Sequence, residues 1–394
     1  MKLNKSKKRI YLDYAATTPV DPRVVKAMMP YFSEKFGNTM SIHNFGQEAK
    51  QALEESREVV ADLINANSSE IIFTSSATES NNLVLKGVAF AKASANQSGH
   101  IIISSIEHPC IMETAKWLEK RGFEITRLKV DKYGLVNPLD VEKSIKKNTI
   151  LVSIIYASNE IGTIQPIQGI GKICRKKGVY FHTDAVQGFG KISIDVKKMN
   201  IDLLTASSHK MYGPKGVACL FIKDGVKIEP ILHGGGQESG LRSSTINVPA
   251  IIGFATACKI AKKEIEKESQ KIIKLRDRLI KGVLEKIKGS YLNGHSIKRL
   301  PNNINFRFDG VEGESMVLHL DLLGIAVSTG SACSSDKLEP NPTLLALGLK
   351  SEQTHGSLRI SLGRWTTEKE IDYFLKVLSE VIIKIRKIAG LATP

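Results

Sequence analysis

The chain has 394 residues, of which 42% are hydrophobic and 24% are charged, a composition typical of a globular protein with a large core. A net charge of +16 can attract nucleic acid, but lysines here are mixed with glutamates along helical stretches without interleaved aromatic residues, so direct nucleic-acid binding is not expected. Because no apolar run is long enough for a membrane span and the first ten residues do not resemble a signal peptide, we expect a cytoplasmic protein without membrane contact.

The N-terminal part starts with an extended segment near Tyr11, which leads into a predicted helix over residues 22–32. A polar loop over residues 37–46 follows. Beyond it, apolar residues recur at helical spacing up to Ile64, which predicts a long helix.

Seven short runs rich in β-branched residues then alternate with helical stretches. They cover residues 71–74, 101–104, 125–128, 150–155, 179–184, 203–207 and 217–222. Strands separated mostly by helices predict an α/β fold, with a largely parallel sheet and helices on both faces. Ligands of such sheets bind outside the carboxyl ends of the strands, so functional residues are expected there.

Polar residues follow the first two of these strands. Small and hydroxyl residues over 75–82 open a helix, whose free N–H groups and positive dipole end suit a phosphate. The alternative for this segment is a plain helix N-cap. His108 follows the second strand and could stack on a flat ring or move protons, although a capping histidine is the alternative.

Further polar residues follow two later strands. Asn159 can donate to a substrate carboxylate or a ring oxygen. Asp184 could hold a protonated heterocyclic nitrogen, because a carboxylate beside a pyridine nitrogen favours its protonated form, and Gln187 lies three residues further on. The alternative for Asp184 is a helix N-cap carboxylate.

Lys210 lies in a Gly- and Pro-containing turn between the last two strands. A lysine that is desolvated beside other cations or bound to a carbonyl becomes a nucleophile and forms Schiff bases. Ser207 and His209 beside it are donors of the kind that hold a phosphate. The alternative is an ordinary solvated lysine, and only the neighbouring clusters favour the reactive one.

A long helical stretch over residues 251–288 is predicted to join a large domain to a smaller one. We expect a large domain over residues 16–260 and a smaller α+β domain formed by residues 1–15 and 261–394.

The predicted smaller domain carries two candidate site residues. Cys333 lies among small residues after a predicted strand, where an accessible thiol suits nucleophilic work. Arg359 could clamp a carboxylate, with a structural ion pair as the alternative. The five cysteines form no Cys-x-x-Cys pair, so neither a metal site nor a disulfide framework is expected.

A phosphate cup, a stacking histidine, a carboxylate for a ring nitrogen and a Schiff-base lysine together describe a pyridoxal phosphate site. The motifs are Tyr11-Leu12-Asp13-Tyr14-Ala15-Ala16-Thr17-Thr18, Ala77-Thr78-Glu79-Ser80-Asn81, Glu107-His108, Asn159-Glu160-Ile161-Gly162, Asp184-Ala185-Val186-Gln187, Ser208-His209-Lys210, Arg242-Ser243-Ser244-Thr245, Gly330-Ser331-Ala332-Cys333 and Arg359-Ile360-Ser361-Leu362-Gly363-Arg364. In this order, over nearly the whole chain, they resemble those of NifS/IscS-type cysteine desulfurases, which belong to the class V aminotransferases.

This resemblance implies a pyridoxal-phosphate-dependent fold of type I, with a mostly parallel seven-stranded sheet in the large domain, and a homodimer. It implies that L-cysteine is converted to L-alanine and that Cys333 receives the sulfur as a persulfide. The sulfur would pass to an acceptor protein, such as an iron–sulfur scaffold or a tRNA-thiolation enzyme.

The resemblance also implies roles for the matching residues. Lys210 would form the Schiff base, His108 would stack on the ring, Asp184 would pair with the ring nitrogen and Gln187 would donate to the ring hydroxyl oxygen. The phosphate would be held by Ala77, Thr78, Ser207 and His209, together with Thr245 of the other subunit. The substrate carboxylate would be bound by Asn159 and Arg359, and Asn159 would also contact the cofactor.

Two alternatives remain at this point. A selenocysteine lyase or an aminotransferase on the same fold is disfavoured by Cys333, because neither reaction demands an acceptor thiol. A basic binding protein that keeps the fold without turnover is disfavoured by the intact set of Lys210, Asp184, His108 and Cys333.

Overall fold

The structure is a computed structural model that describes residues 9–92, 99–330 and 340–390. The helices are α1 (Pro22–Met28), α2 (Pro30–Ser33), α3 (Asn44–Leu63), α4 (Ala77–Lys92), α5 (Pro109–Glu119), α6 (Pro138–Ser144), α7 (Ile167–Lys177), α8 (Val248–Lys286), α9 (Gly313–Leu322), α10 (Pro342–Ala346), α11 (Ser351–His355) and α12 (Glu368–Ile388). The strands are β1 (Ile10–Tyr11), β2 (Ile71–Thr74), β3 (His100–Ser104), β4 (Glu124–Leu128), β5 (Thr149–Ser153), β6 (Tyr180–Asp184), β7 (Leu203–Ser207), β8 (Ala218–Ile222), β9 (Ser290–Asn293), β10 (Asn303–Phe308), β11 (Ile325–Ala326) and β12 (Ser357–Ser361).

The largest sheet contains the seven strands that the sequence predicts, in the order β2-β8-β7-β6-β5-β3-β4. The strands from β7 to β4 pair in parallel, whereas β8 is antiparallel to both of its neighbours. The predicted α/β fold with a mostly parallel sheet is therefore confirmed.

Helices cover both faces of this sheet, as its apolar strands require. Successive side chains of a strand point to opposite faces. In β3, Ile102 packs in a core with residues of α3, α7 and α8, whereas Ile101 and Ile103 pack with residues of α4 and α5. The strand is fully buried for this reason, and its sequence is a continuous apolar run.

A second group of strands lies outside the large sheet. Strand β10 pairs with β12 and β9 in an antiparallel sheet, and β1 pairs in parallel with β11, with Ile10 opposite Ile325. Ile10 and Leu12 share a separate hydrophobic core with residues of β10, β12 and α12. The N-terminal strand thus packs with the C-terminal part of the chain.

Helix α8 connects the two cores. It begins after Asn247, whose side chain accepts from the N–H of Ala250 at 3.2 Å as an N-cap. Its first half, including Phe254, is buried in the core of the large sheet, and its second half, including Leu279, is buried in the other core. The predicted long helix over 251–288 is confirmed with shifted ends.

The predicted single helix over residues 22–32 is wrong in detail, because two helices, α1 and α2, cover it. Pro30 has no N–H to donate to a helical carbonyl, so α1 ends at Met28 and a new helix begins at Pro30. Among the described residues, no helix has both the length and the apolar character needed to cross a membrane.

Candidate active site

A cavity of about 420 Å³ lies at the carboxyl ends of the central strands. Ten predicted site residues line it, namely Ala77, Thr78, His108, Asn159, Asp184, Gln187, Ser207, His209, Lys210 and Arg359. Thr245 is exposed and does not line the cavity. Cys333 lies outside the described residues.

The turn between β2 and α4 forms one wall of the cavity. Ala77 and Thr78 are the first residues of α4, where N–H groups have no intrahelical acceptors. The hydroxyl of Ser76 accepts from the N–H of Glu79 at 3.2 Å, so the N-cap expected as the alternative is present as well. The helix still offers free N–H groups and the positive end of its dipole to an anion.

His108 ends the β3–α5 connection and is the N-cap of α5. Its Nδ1 accepts from the N–H of Cys110 at 3.3 Å, and its ring lines the cavity, so the capping and cavity-lining alternatives are both realised. Burial lowers the pKa of His108, as does the nearby Lys210, while Asp184 opposes the shift. The imidazole is therefore neutral near neutral pH.

Asp184, the last residue of β6, is held by two hydrogen bonds. Its Oδ1 accepts from the N–H of Val186 at 3.0 Å, and its Oδ2 accepts from Nδ2 of Asn81 at 2.7 Å. Both bonds fix the orientation of the side chain at the cavity wall, as a partner for a ring nitrogen requires.

Gln187 also lines the cavity. Its Nε2 donates to the carbonyl of Ala15 at 3.0 Å, and its buried Oε1 has no hydrogen-bond partner among the described residues. The second N–H of the amide remains available for the predicted donation to a ring oxygen.

Lys210 follows β7 in a short 3₁₀ turn and reaches back to the N-terminal segment. Its Nζ donates to the carbonyls of Ala15 at 2.8 Å and Ala16 at 2.6 Å. These contacts hold the amine at the cavity wall, across 195 positions of sequence from Ala15.

His209 lies beside Lys210, with Nδ1 at 3.1 Å from the hydroxyl of Thr17. Burial and, to a smaller extent, the neighbouring cations Lys210, Lys215 and Lys191 together lower the pKa of His209 to about 4. His209 can therefore hold an anion through hydrogen bonds but not through a positive charge at neutral pH.

Arg359 reaches the cavity from β12. Its Nη2 lies 2.8 Å from Oδ1 of Asp13, so the predicted alternative of an ion pair is present. Its Nη1 donates to the carbonyl of Asn159 at 3.3 Å, and its buried Nε has no hydrogen-bond partner among the described residues. The guanidinium retains donor capacity beside Asn159 for a carboxylate.

The cavity fits pyridoxal phosphate by its donor set. Lys210 supplies an amine for a Schiff base, the N-terminus of α4 with Ser207 and His209 supplies donors for a phosphate, and Asp184 supplies the anion for a ring nitrogen. Oε1 of Gln187 and Nε of Arg359, which have no hydrogen-bond partner within the described part of the chain, mark further positions where a bound molecule can be held.

Some cavity residues were not predicted. Ala15 and Ala16 act through backbone carbonyls, which carry no side-chain signal in a sequence. Cys110 lines the cavity too, and its position two residues after His108 at a strand end was the available signal.

Comparison with known proteins gives consistent results. A family model described as Aminotransferase class-V matches residues 10–374. The chain is 52% identical over 383 residues to a protein named Cysteine desulfurase IscS from Dictyoglomus turgidum, with 97% of each chain covered. A solved structure of a NifS-like protein has a TM-score of 0.90 at 40% identity and covers 96% of this chain and 100% of its own. A structure described as SspA in complex with cysteine has a TM-score of 0.81 at 37% identity and covers 91% of this chain and 100% of its own.

Proposed function

The chain belongs to the class-V aminotransferase family, and within it to the NifS/IscS-type cysteine desulfurases, and from this membership we propose that it removes sulfur from L-cysteine with pyridoxal 5'-phosphate as cofactor. The observation that carries the proposal is the single cavity in which Lys210, Asp184 and His108 lie with Arg359. The cysteine complex of a structural relative supports the choice of substrate.

The proposed cofactor site uses the groups already described. Thr78, Ser207 and His209 hold the phosphate together with the N–H groups at the start of α4. His108 stacks on the ring, and Asp184 keeps a proton on the ring nitrogen. When bound, the pyridoxal ring supplies a sink for the electron pair that remains after the Cα proton of the substrate is removed.

The remaining residues position the substrate and move its proton. Arg359 and Asn159 bind the carboxylate of L-cysteine and so orient its Cα and its sulfur. Lys210 holds the cofactor through its amine in the resting enzyme and, once released, moves the Cα proton of the substrate.

Cys333 is the proposed sulfur acceptor. Its thiolate attacks the sulfur of the substrate, so that an S–S bond forms as the C–S bond of the substrate breaks. The electron pair of the C–S bond stays with the carbon, which takes up a proton and leaves as L-alanine. The persulfide on Cys333 then passes its outer sulfur to an acceptor protein, such as an iron–sulfur scaffold or a tRNA-thiolation enzyme.

We also propose a cytoplasmic homodimer in which Thr245 of one subunit completes the phosphate site of the other. The exposure of Thr245, outside the cavity of its own chain, supports this arrangement. Six large apolar side chains that are at least half exposed fall within residues 29–45 and also support it, namely Met29, Phe32, Phe36, Met40, Ile42 and Phe45. Such a concentration of apolar surface is typical of an interface.

The division into domains over residues 16–260 and over residues 1–15 with 261–394 is likewise a proposal. The separate hydrophobic cores on the two halves of α8 support it.

The decisive experiment exposes the purified protein briefly to L-cysteine without reductant, maps all five cysteines by mass spectrometry and assays alanine. We expect one added sulfur on Cys333 with stoichiometric alanine, and a Cys333→Ala variant that keeps the cofactor but releases no sulfur. Alanine without sulfur on Cys333 would favour the lyase alternative. Neither product from a cofactor-loaded protein would contradict the desulfurase proposal.

A further inference from the structure

Cys110 is a second thiol at the proposed active site, and the steps above give it no task. It is the second residue of α5, lines the cavity and is half-buried. The other described cysteines, Cys174, Cys219 and Cys258, are fully buried in the hydrophobic cores. Cys110 therefore differs from them in position and in the groups that surround it.

The side chain of Cys110 belongs to a chain of hydrogen bonds under the cavity. Its Sγ lies 3.0 Å from Nδ1 of His108 and 3.1 Å from Nδ2 of Asn81. The same Nδ2 lies 2.7 Å from Oδ2 of Asp184. Hydrogen bonds thus link four side chains one after another, in the order Asp184, Asn81, Cys110 and His108.

The donor and acceptor chemistry of these groups allows one consistent direction along the chain. The amide of Asn81 has two N–H donors, and it uses them toward Asp184 and toward the sulfur of Cys110. Because the sulfur accepts from Asn81, its own S–H is left to donate to Nδ1 of His108. The backbone N–H of Cys110 donates to that nitrogen as well, at 3.3 Å.

We propose that Cys110 is a positioning residue for His108, whose thiol joins its backbone N–H in keeping Nδ1 an acceptor and thereby holds the imidazole proton on Nε2. The chain of hydrogen bonds also couples the orientation of His108 to that of Asp184. This inference rests on the proposed function, in which these two side chains contact the cofactor ring.

The protonation states required by this arrangement agree with the surroundings. Burial and, to a smaller extent, the carboxylates of Asp184 and Glu107 together raise the pKa of the Cys110 thiol to about 12. Burial lowers the pKa of His108, with Lys210 acting in the same direction and Asp184 against it. Near neutral pH the thiol thus keeps its proton and the imidazole stays neutral.

A consequence concerns the route of the sulfur. Thiol exchange needs a thiolate, so a thiol that keeps its proton does not attack the substrate sulfur. Cys110 therefore does not compete with Cys333 for the substrate sulfur, although Cys110 lines the cavity. Peptide mapping after exposure to L-cysteine should find no added sulfur on Cys110.

The test compares Cys110→Ala, which removes the donor, with Cys110→Ser, which keeps one. The readout is the ¹⁵N spectrum of the His108 imidazole in cofactor-loaded protein, assigned with His108→Gln, together with the pH profile of kcat/KM. The native protein and Cys110→Ser should show the tautomer with the proton on Nε2. Cys110→Ala keeps the backbone N–H donor to Nδ1 but loses the thiol, so it should show a changed Nδ1 signal and a pKa of His108 raised by about 0.7 units, the shift that one lost hydrogen bond produces.

The matched control is Cys174→Ala, which removes a buried thiol outside the cavity and should leave the His108 signals unchanged. Identical His108 spectra in the native protein and Cys110→Ala would overturn the inference, and so would a native tautomer with the proton on Nδ1. If Cys110→Ala does not fold, the spectra of the native protein and of Cys110→Ser decide the question. The desulfurase proposal fails separately, if the native protein places no sulfur on Cys333.

Discussion

Several residues of this site both stabilise the local backbone or pair with a neighbour and line the cavity, two roles that the sequence analysis gave as alternatives. His108 caps α5 and lines the cavity, Asp184 accepts from a backbone N–H and lines the cavity, and Arg359 pairs with Asp13 beside it. The reason is geometric, because polar side chains at strand ends lie next to unsatisfied N–H groups of the following turn or helix. A capping role is therefore no argument against a functional one.

The buried carboxyl group of Glu107 leads to a prediction about the pH dependence of stability. Its Oε1 accepts from the hydroxyl of Ser104 at 2.5 Å and from the N–H of Ile155 at 2.8 Å, while Oε2 has no hydrogen-bond partner among the described residues. Burial raises the pKa of Glu107 to about 8, and Asp184 contributes to the increase. Between the ordinary pKa range of glutamate and about pH 8, Glu107 therefore carries a proton in the folded protein and has released it in the unfolded chain.

Because the pKa of Glu107 is raised on folding, the contribution of Glu107 to the free energy of unfolding is fully present below the ordinary pKa range of glutamate. This contribution is lost as the pH rises toward 8. Glu107→Gln keeps the acceptor and removes the titration. Relative to the variant, the native protein should lose on the order of 3 kcal/mol of unfolding free energy between pH 5 and 8. Urea denaturation across this range measures the difference, and parallel curves for the two proteins would contradict it.

At the scale of elements, the turn after β5 joins several parts of the chain. Asn303 and Asn305 of β10 donate to the carbonyls of Asn159 at 2.9 Å and of Glu160 at 3.2 Å. The buried carboxylate of Glu160 accepts from Nδ2 of Asn341, the N-cap of α10, at 2.5 Å. The turn that presents Asn159 to the cavity is thus anchored by side chains from distant elements.

The contact between Glu160 and Asn341 can be tested by exchanging its donor and acceptor. Asn341→Asp preserves an N-cap for α10 but places two carboxyl groups together, which should cost about 2 kcal/mol at pH 8 and less at pH 5. Adding Glu160→Gln restores a donor and should recover most of the loss. Urea denaturation of both single variants and the double variant measures the coupling, and additive losses would exclude a direct interaction.

At the scale of the whole molecule, ion pairs connect Asp21, Arg23 and Arg364 with helix α8 and with one another. Arg364 lies 2.5 Å from Asp21 and 2.8 Å from Glu268, and Arg23 lies 2.6 Å from Glu264. Asp21, near the N-terminus, is thereby tied to Arg364, near the C-terminus. These ion pairs link early and late segments of the described chain to the same helix.

The proposed homodimer leads to a prediction at this scale. A subunit with Lys210→Ala lacks the amine, and a subunit with Thr245→Glu should repel the phosphate held by its partner. If Thr245 acts across the interface, mixed dimers contain one site with both native residues. Desulfurase activity and cofactor absorbance should then appear when the two inactive variants are unfolded and refolded together.

Refolding each variant alone is the control for this experiment. An inactive mixture would show that Thr245 serves its own subunit or that the chain does not form dimers, and size-exclusion chromatography separates these two explanations.

The seven strands of the large sheet and the polar groups at their ends can be predicted from the sequence alone, because the alternation of apolar runs and turns is a local property. Ten residues of the cavity can be predicted in the same way, since the ends of parallel strands meet at one edge of a sheet. The folded structure was needed to show the strand order, the antiparallel pairing of β8, the carbonyl partners of Lys210 and the contact of Cys110 with His108 and Asn81. These features depend on packing between segments far apart in the chain, which no local pattern encodes.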